Sequence, residues 1–203
     1  MKQFFVTGIS TDVGKTITSA IMVEALEADY WKPVQTGDES DSEKISELIS
    51  NTKTVIHKSS YSLKAPISPH AAAALEGVYI DHNNINEPKS ENHMVIEGAG
   101  GVLVPLNDSD TMLDIIMPTY YVIVVVKHYL GSINHSLLTI KWLLLKGYDV
   151  AVVFNGEPNA ASEDIITKIT KVPVLGRIGQ EASLTKEVVK KYAEELRPAL
   201  MAL

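Results

Sequence analysis

The segment GISTDVGKT, from Gly8 to Thr16, directly follows the apolar run Phe4–Val6 and opens a stretch with helical periodicity. Glycines in such a turn let backbone N–H groups point inward around an anion. Lys15 can reach the β- and γ-phosphates of a nucleotide, and the Thr16 hydroxyl can ligate Mg²⁺. Five residues rather than four separate Gly8 from Gly14, so the loop is a variant of the common pattern. We therefore expect a strand, a phosphate-binding loop and a helix, in a chain that uses a nucleoside triphosphate.

Short apolar runs rich in β-branched residues alternate with segments of helical period along the chain. This alternation predicts an α/β fold, with a predominantly parallel sheet, helices on both faces and the architecture of phosphate-loop NTPases. The 203-residue length favours a single domain spanning residues 1–203. Strands are predicted at Phe4–Val6, Tyr30–Val34, Met94–Ile96, Val122–Val126, Val150–Phe154 and Val172–Leu175.

Helices are predicted from apolar spacing and from the positions of capping residues and prolines. The last predicted helix ends at Arg197-Pro198, because proline disfavours helix continuation. Residues 51–92 contain several prolines and polar clusters, which predict loops and a short helix at Ala71–Leu75. The remaining helices are predicted at Lys15–Ala28, Asp41–Ile49, Ile133–Lys146, Ser162–Thr170 and Thr185–Leu196.

Charge and composition limit the possible classes of ligand and the possible cellular locations of the protein. The net charge of −7 argues against nucleic acid as a partner and favours small molecules. The longest apolar run, Tyr120–Val126, is too short to span a membrane, and no targeting segment precedes the glycine loop. We therefore expect a cytoplasmic protein without a membrane partner. Because Arg177 and Arg197 are the only arginines, phosphate charge must fall mainly to lysine and Mg²⁺.

Acidic residues near predicted strand ends are candidate metal ligands, since ligands of parallel sheets bind at the carboxyl ends of strands. Glu97 ends the run Met94–Ile96 and precedes a glycine turn, so it could hold Mg²⁺ opposite Thr16. It could equally be a solvated glutamate at a strand end. Asp41 could supply a second carboxylate, or simply belong to a helix N-terminus rich in acidic residues.

Lys32 and Asn155 also admit two interpretations each. A lysine in an apolar run needs a partner, such as a phosphate, unless its side chain extends to solvent from an edge strand. Asn155 could contact a nucleobase with its amide, or form a common Asn-Gly turn with Gly156. Spacing alone does not decide between these interpretations.

Five motifs, in order along the chain, resemble those of the dethiobiotin synthetase family. They are GISTDVGKT, KPVQTG at 32–37, SPH at 68–70, EGAGG at 97–101 and LGSINH at 130–135. The resemblance implies a homodimer that converts 7,8-diaminononanoate, CO₂ and ATP with Mg²⁺ into dethiobiotin, ADP and phosphate. It further implies a carbamate and a carbamic-phosphoric anhydride as intermediates, with no covalent enzyme intermediate.

The same resemblance assigns roles to individual positions. Lys32 and Lys15 would be catalytic, and Thr16, Asp41 and Glu97 would ligate Mg²⁺. Thr11 and Thr36 would bind the substrate, while Gly131 and Asn134 would reach the substrate of the partner subunit. Nucleotide contacts are implied for Asp12, Val13, Gly14, Lys15, Thr16, Ile17, Asp41, Glu97, Gly98, Ala99, Gly100, Asn155, Gly179, Gln180 and Glu181.

A ParA/MinD-like nucleotide switch, an ATPase regulated by a partner, is the alternative with the same type of sheet and loop. Its signature is a lysine near the start of the loop, where this chain has Ile9 to Asp12. Residues 186–203 combine charge and apolar residues, as a membrane-targeting helix would. Pro198 and three glutamates in that segment favour a packing helix instead.

Overall fold

Nine strands are present in the computed structural model, which describes residues 1–203. They are β1 (Gln3–Gly8), β2 (Asp29–Trp31), β3 (Val34–Thr36), β4 (Ile56–His57), β5 (Tyr61–Leu63), β6 (Met94–Glu97), β7 (Tyr121–Lys127), β8 (Asp149–Asn155) and β9 (Val174–Ile178). Seven form one parallel sheet in the order β4-β2-β6-β1-β7-β8-β9, and β3 and β5 form a separate parallel pair. The predicted parallel α/β architecture is confirmed, with β1 and its loop at the centre of the sheet.

The structure contains six α-helices. They are α1 (Lys15–Leu26), α2 (Asp41–Leu48), α3 (Pro69–Leu75), α4 (Ser132–Leu145), α5 (Ala160–Thr170) and α6 (Lys186–Ala202), with 3₁₀ turns at His82–Asn84 and Met112–Ile115. Helix α1 packs against α2 and α6, and α4 packs against α5, so these five helices form two layers, whereas α3 packs against β3 and β5. No helix combines the length and apolar character that a membrane span requires.

The predicted strand Tyr30–Val34 is wrong, because the chain breaks at Lys32-Pro33 into β2 and β3. Pro33 has no N–H to donate to the main sheet, and its carbonyl accepts hydrogen bonds from the N–H groups of Ser60 and Tyr61. The two pieces consequently join different sheets. Lys32 therefore lies at a break beside an interior strand of the main sheet and does not extend from an edge.

The predicted end of the last helix is also wrong, since α6 continues through Pro198 to Ala202. Leu196 and Leu200, on either side of the proline, are both 1% exposed and pack in the core. Proline removes the hydrogen bond to the carbonyl of Glu194, but Glu194 and Pro198 lie on the exposed face, where water can replace that bond. Burial of the apolar face therefore outweighs the local cost.

Two further strand predictions differ from the structure. The last strand is shifted to β9, because Pro173 cannot donate to the ladder and pairing continues to Ile178. In the region 51–92, the short helix is present as α3, but β4 and β5 were not predicted. Strands of two or three residues are too short to show a periodic pattern, so the local sequence does not reveal them.

Candidate active site

A cleft of about 1130 Å³ lies at the carboxyl ends of β1, β2 and β6. Its position agrees with the rule that parallel sheets bind ligands beyond the carboxyl ends of their strands. Many of the predicted site residues line this cleft: Thr11, Asp12, Gly14, Lys15, Thr16, Ile17, Lys32, Thr36, Asp41, Glu97, Ala99 and Gly100.

The glycine loop is tightly curled between β1 and α1. Gly14 caps α1 in the left-handed conformation, with φ of 99°, and a Cβ there would meet the Asn155 amide nitrogen at 2.1 Å. Lys15 is buried and donates a hydrogen bond to the Ser10 carbonyl at 3.3 Å, across the loop. Burial lowers the pKa of Lys15, although nearby Glu97 acts to raise it. The Lys15 side chain is thus held by a backbone carbonyl of its own loop.

Four polar side chains meet on the floor of the cleft. The Lys32 ammonium donates to Asp41 Oδ2 at 2.5 Å and to Glu97 Oε1 at 3.0 Å. The Thr16 hydroxyl lies 3.0 Å from Asp41 Oδ1 and 2.9 Å from Glu97 Oε1. Lys32 and Glu97 are almost fully buried. The partners of Lys32 in this structure are therefore two carboxylates.

The charges of this cluster depend on one another. Burial acts to lower the pKa of Lys32, but Glu97 and Asp41 more than offset it and raise the pKa above its usual value. Burial likewise acts to raise the pKa of Asp41, and the Lys32 charge reverses this, leaving the pKa lowered. Lys32 is consequently cationic and Asp41 anionic at neutral pH.

The oxygen atoms of the cluster fit a divalent cation. Three oxygen atoms come together here, because Asp41 Oδ1 and Glu97 Oε1 both lie within hydrogen-bonding distance of Thr16 Oγ1. Mg²⁺ prefers such oxygen donors and is usually held by one or two carboxylates together with substrate phosphates and water. The cluster itself has two acidic side chains, and the structure contains no group of three or more histidine and acidic side chains that could hold a metal.

Two residues that sequence reasoning missed support these carboxylates. The Tyr30 hydroxyl donates to Glu97 Oε2 at 3.0 Å. Gln35 accepts a hydrogen bond from the Asp41 N–H and donates to the carbonyls of Thr36 and Glu39, so it shapes the entry to α2. Tyr30 resembled an ordinary core aromatic, and no spacing signal linked it to Glu97. The position of Gln35 within KPVQTG was the available signal for its role.

Several predicted nucleotide contacts do not line the cleft: Val13, Gly98, Asn155, Gly179, Gln180 and Glu181. Asn155 donates its amide to the Val13 carbonyl at 2.7 Å, so it supports the loop from behind Gly14. Gly98 packs against Phe5, where a Cβ would lie 3.0 Å from the ring. Gly179, Gln180 and Glu181 follow β9, with Gly179 and Glu181 both bound to the Tyr192 hydroxyl.

Gly131 and Asn134 lie away from the cleft of their own chain. Gly131 caps α4 with a φ of 100°, and Asn134 lines a separate groove of about 360 Å³ on that helix. The groove is otherwise formed mainly by apolar side chains of α4: Leu137, Leu138, Trp142 and Leu145, with Lys141. Within one chain, these two residues are not brought together with the other predicted substrate residues.

Comparisons with known proteins identify the relatives of this chain. A family model described as an AAA domain matches residues 2–188. The chain is 48% identical to the ATP-dependent dethiobiotin synthetase BioD of Christiangramia forsetii, over 98% of each sequence. It is 50% identical to the protein of the same name from Cytophaga hutchinsonii, over 97% of each sequence.

A structural comparison shows how widely the fold is shared. A plasmid partition protein from Borrelia burgdorferi superimposes with a TM-score of 0.65, covering 100% of this chain and 99% of that chain. At 15% identity this likeness concerns the fold alone, so the ParA/MinD-like alternative has only fold-level support. The alignments with the two dethiobiotin synthetases, at 48% and 50% identity, cover almost the whole sequence. The chain therefore belongs to the ATP-dependent dethiobiotin synthetase family.

Proposed function

We propose that this chain uses ATP and Mg²⁺ to carboxylate 7,8-diaminononanoate with CO₂ and to close the ring, giving dethiobiotin, ADP and phosphate. The observation that carries the proposal is the meeting of Lys15, Thr16, Lys32, Asp41 and Glu97 in one cleft. This arrangement occurs in a chain that aligns almost end to end with dethiobiotin synthetases. A cytoplasmic location is part of this proposal, because it is consistent with a biosynthetic enzyme that uses ATP.

The reaction needs positioning and charge neutralisation more than covalent catalysis. One amine of the substrate captures CO₂ as a carbamate and releases a proton. A carbamate oxygen then attacks the γ-phosphorus and displaces ADP, and the second amine attacks the carbonyl carbon and displaces phosphate. Two anions must approach each other in the phosphoryl-transfer step, so preorganised positive charge there lowers the barrier.

The residues of the cleft divide these tasks. Lys15 and the backbone of residues 12–16 would bind the phosphates, with Asn155 holding the loop from behind. Lys32 would lie beside the carbamate and the transferring phosphoryl group. Thr16, Asp41 and Glu97 would hold Mg²⁺, which would neutralise phosphate charge. These assignments are supported by the contacts of the cluster and by its burial.

The substrate end of the cleft is built by the small β3–β5 pair and by the loop before α3. Thr36 ends β3 and lines the cleft together with Thr11. Pro66 and Ile67 lie at the same end and offer an apolar wall for an alkyl chain. Hydroxyl groups near the phosphate loop and apolar groups beyond it suit a substrate with polar amines on a hydrocarbon chain.

The exposed apolar surface of α4 supports a homodimer. Leu138 and Leu145 are 63% and 76% exposed, and Leu130, just before the helix, is fully exposed. Apolar side chains at this density on one helix are typical of an interface. Covering this surface with a second copy would bring residues 130–134 to a neighbouring subunit, where Gly131 and Asn134 could complete its substrate site.

Mixing two variants that we expect to be inactive tests the shared site. Lys15→Ala removes a phosphate ligand, and Asn134→Ala removes a group proposed to serve the partner's substrate. If the two groups act in the same site across the interface, a mixed dimer contains one site with both defects and one with neither. We expect the mixture to exceed both parents in dethiobiotin formation. No recovery despite demonstrated subunit exchange, or an active monomer in sedimentation, would contradict the proposal.

Glu97→Gln tests the metal site. The change removes the charge of a proposed Mg²⁺ ligand while conserving side-chain shape, so we expect the Mg²⁺ concentration for half-maximal turnover to rise about tenfold or more. Glu87→Gln is a matched control, because Glu87 also accepts a hydrogen bond from a buried tyrosine, Tyr120. An unchanged Mg²⁺ requirement in Glu97→Gln would assign Glu97 a purely structural role at the strand end.

A turnover assay separates the proposed enzyme from the alternative nucleotide switch. ATP hydrolysis is measured with and without 7,8-diaminononanoate and bicarbonate, and dethiobiotin is quantified by mass spectrometry. We expect phosphate release to depend on both substrates and to match dethiobiotin in amount. Hydrolysis that ignores both substrates but responds to DNA, lipid vesicles or a protein partner would favour the ParA/MinD-like class.

A further inference from the structure

Tyr30 forms a buried hydrogen bond with Glu97. Tyr30 lies in β2 and is fully buried, and Glu97 ends β6 with only 1% of its surface exposed. The Tyr30 hydroxyl donates to Glu97 Oε2 at 3.0 Å. This contact uses the carboxylate oxygen that faces away from Thr16 and Lys32, which both contact Oε1.

The sheet register explains why these two residues meet. Tyr30 pairs with Val95 across the parallel strands β2 and β6. Side chains alternate between the two faces of a strand, so Glu97, two residues beyond Val95, points to the same face as Tyr30. A diagonal separation of about 7 Å is within reach of a tyrosine ring and its hydroxyl. The contact therefore joins β2 and β6, the two strands that also lead to Lys32 and Glu97 on the floor of the cleft.

The two oxygens of Glu97 consequently have different surroundings. Oε2 lies in the interior, where an unpaired carboxylate oxygen would be costly and where the phenol is its hydrogen-bond donor. Oε1 faces the cleft, where it contacts the Thr16 hydroxyl and the Lys32 ammonium. A carboxylate held at one oxygen cannot rotate freely to offer the other.

We propose that Tyr30 is a positioning residue of the metal site, holding Glu97 so that Oε1 is presented to the cation. This inference rests on the proposed function, in which Glu97 is a Mg²⁺ ligand. Hydrogen bonds from neighbouring residues orient metal ligands in general, and their loss typically weakens metal binding about 10- to 100-fold. Tyr30 does not touch the reacting atoms, so its effect appears in metal affinity rather than in the chemical step.

The test is Tyr30→Phe, which keeps the ring and removes the hydroxyl. Protein loaded with equimolar ADP is titrated with Mn²⁺, which takes oxygen ligands as Mg²⁺ does, and free Mn²⁺ is followed by electron paramagnetic resonance. We expect Mn²⁺ affinity to fall about tenfold. Turnover at saturating Mg²⁺ should stay within about threefold of the original protein, because the chemical groups remain.

Tyr120→Phe is the matched control. Tyr120 is also buried and donates its hydroxyl to a carboxylate, Glu87 Oε2, at 2.6 Å. It precedes β7 at the amino edge of the sheet, opposite the cleft. Both variants lose a buried phenol–carboxylate hydrogen bond and should melt at lower temperature. Only Tyr30→Phe should weaken Mn²⁺ binding.

The outcomes separate this inference from the proposed function. Unchanged Mn²⁺ affinity in Tyr30→Phe, with weakened affinity in Glu97→Gln, would overturn the role of Tyr30 alone. Unchanged affinity in both variants would overturn the metal role of Glu97. If Tyr30→Phe does not fold, replacing Tyr30 with 4-fluorophenylalanine fills the space of the hydroxyl without a donor and is held to the same expectation. Replacing Tyr30 with 4-aminophenylalanine restores a donor and should restore Mn²⁺ affinity.

Discussion

Lys32→Ala is expected to slow dethiobiotin formation about a hundredfold, because it removes a preorganised charge worth about 3 kcal/mol in the transition state. The approach of carbamate to the γ-phosphate brings two anions together, and the cleft has few cations to oppose their repulsion. In the proposed mechanism Lys15 binds the ATP phosphates, and Lys32 would be the lysine beside the carbamate and the transferring phosphoryl group. The measurement is single-turnover phosphate release, and ATP affinity should change little because the loop remains intact.

Two further lysine variants sharpen this test. Lys32→Arg should rescue only partly, since a planar guanidinium does not replace a compact ammonium between two carboxylates. Lys44→Ala is the control, because Lys44 also lines the cleft but is half exposed and pairs with the exposed Glu39. Removing that rim charge should alter turnover less than about threefold. Near-normal turnover in Lys32→Ala would show that the lysine only neutralises Asp41 and Glu97.

Gly14→Ala is expected to weaken ATP binding about a hundredfold. The left-handed backbone at Gly14 costs an alanine roughly 1–2 kcal/mol, and the added Cβ would lie 2.1 Å from the Asn155 amide nitrogen. Relieving that overlap adds about 1–3 kcal/mol or displaces Asn155 from its bond to the Val13 carbonyl. Either result reshapes the loop that surrounds the phosphates. Isothermal titration with ATP measures the loss, with the melting temperature as the check on folding.

Gly147→Ala is the control that separates the cost of a left-handed backbone from a change in the shape of the phosphate loop. Gly147 also has a positive φ, 86°, but a Cβ added there would meet nothing within 4 Å, and the residue follows α4 at the amino edge of the sheet. We expect this variant to lower stability by about 1 kcal/mol and to bind ATP normally. Wild-type ATP affinity in Gly14→Ala would refute the importance of the close contact between the loop and Asn155.

Local sequence was sufficient to predict the elements that are marked by an apolar pattern or by the backbone preference of a glycine. The strand, glycine turn and first helix are present as predicted, because Gly14 adopts a backbone conformation that glycine favours and α1 begins at Lys15. The run Val122–Val126 predicted a strand buried on both faces, and all five residues are completely buried in β7. Such signals need no knowledge of distant residues, since they arise from the backbone preference of one residue or from a continuous apolar run within one segment.

The interpretations that spacing left open were decided by contacts between distant segments. Lys32 and Glu97 are 65 residues apart, and Thr16 and Glu97 are 81 residues apart, yet each pair lies within hydrogen-bonding distance. Pro33 breaks the predicted strand and leaves Lys32 between two carboxylates, whereas Pro198 fails to end α6 because Leu196 and Leu200 pack in the core.

The sequence by itself therefore determined the parallel α/β architecture, the phosphate loop and the residues available to act. Tertiary structure alone decided that Tyr30 supports Glu97, that Asn155 supports the loop and that Asn134 lies outside its own cleft. The reason is physical: periodicity records which face of a segment is buried, but sheet order and register decide which buried groups meet.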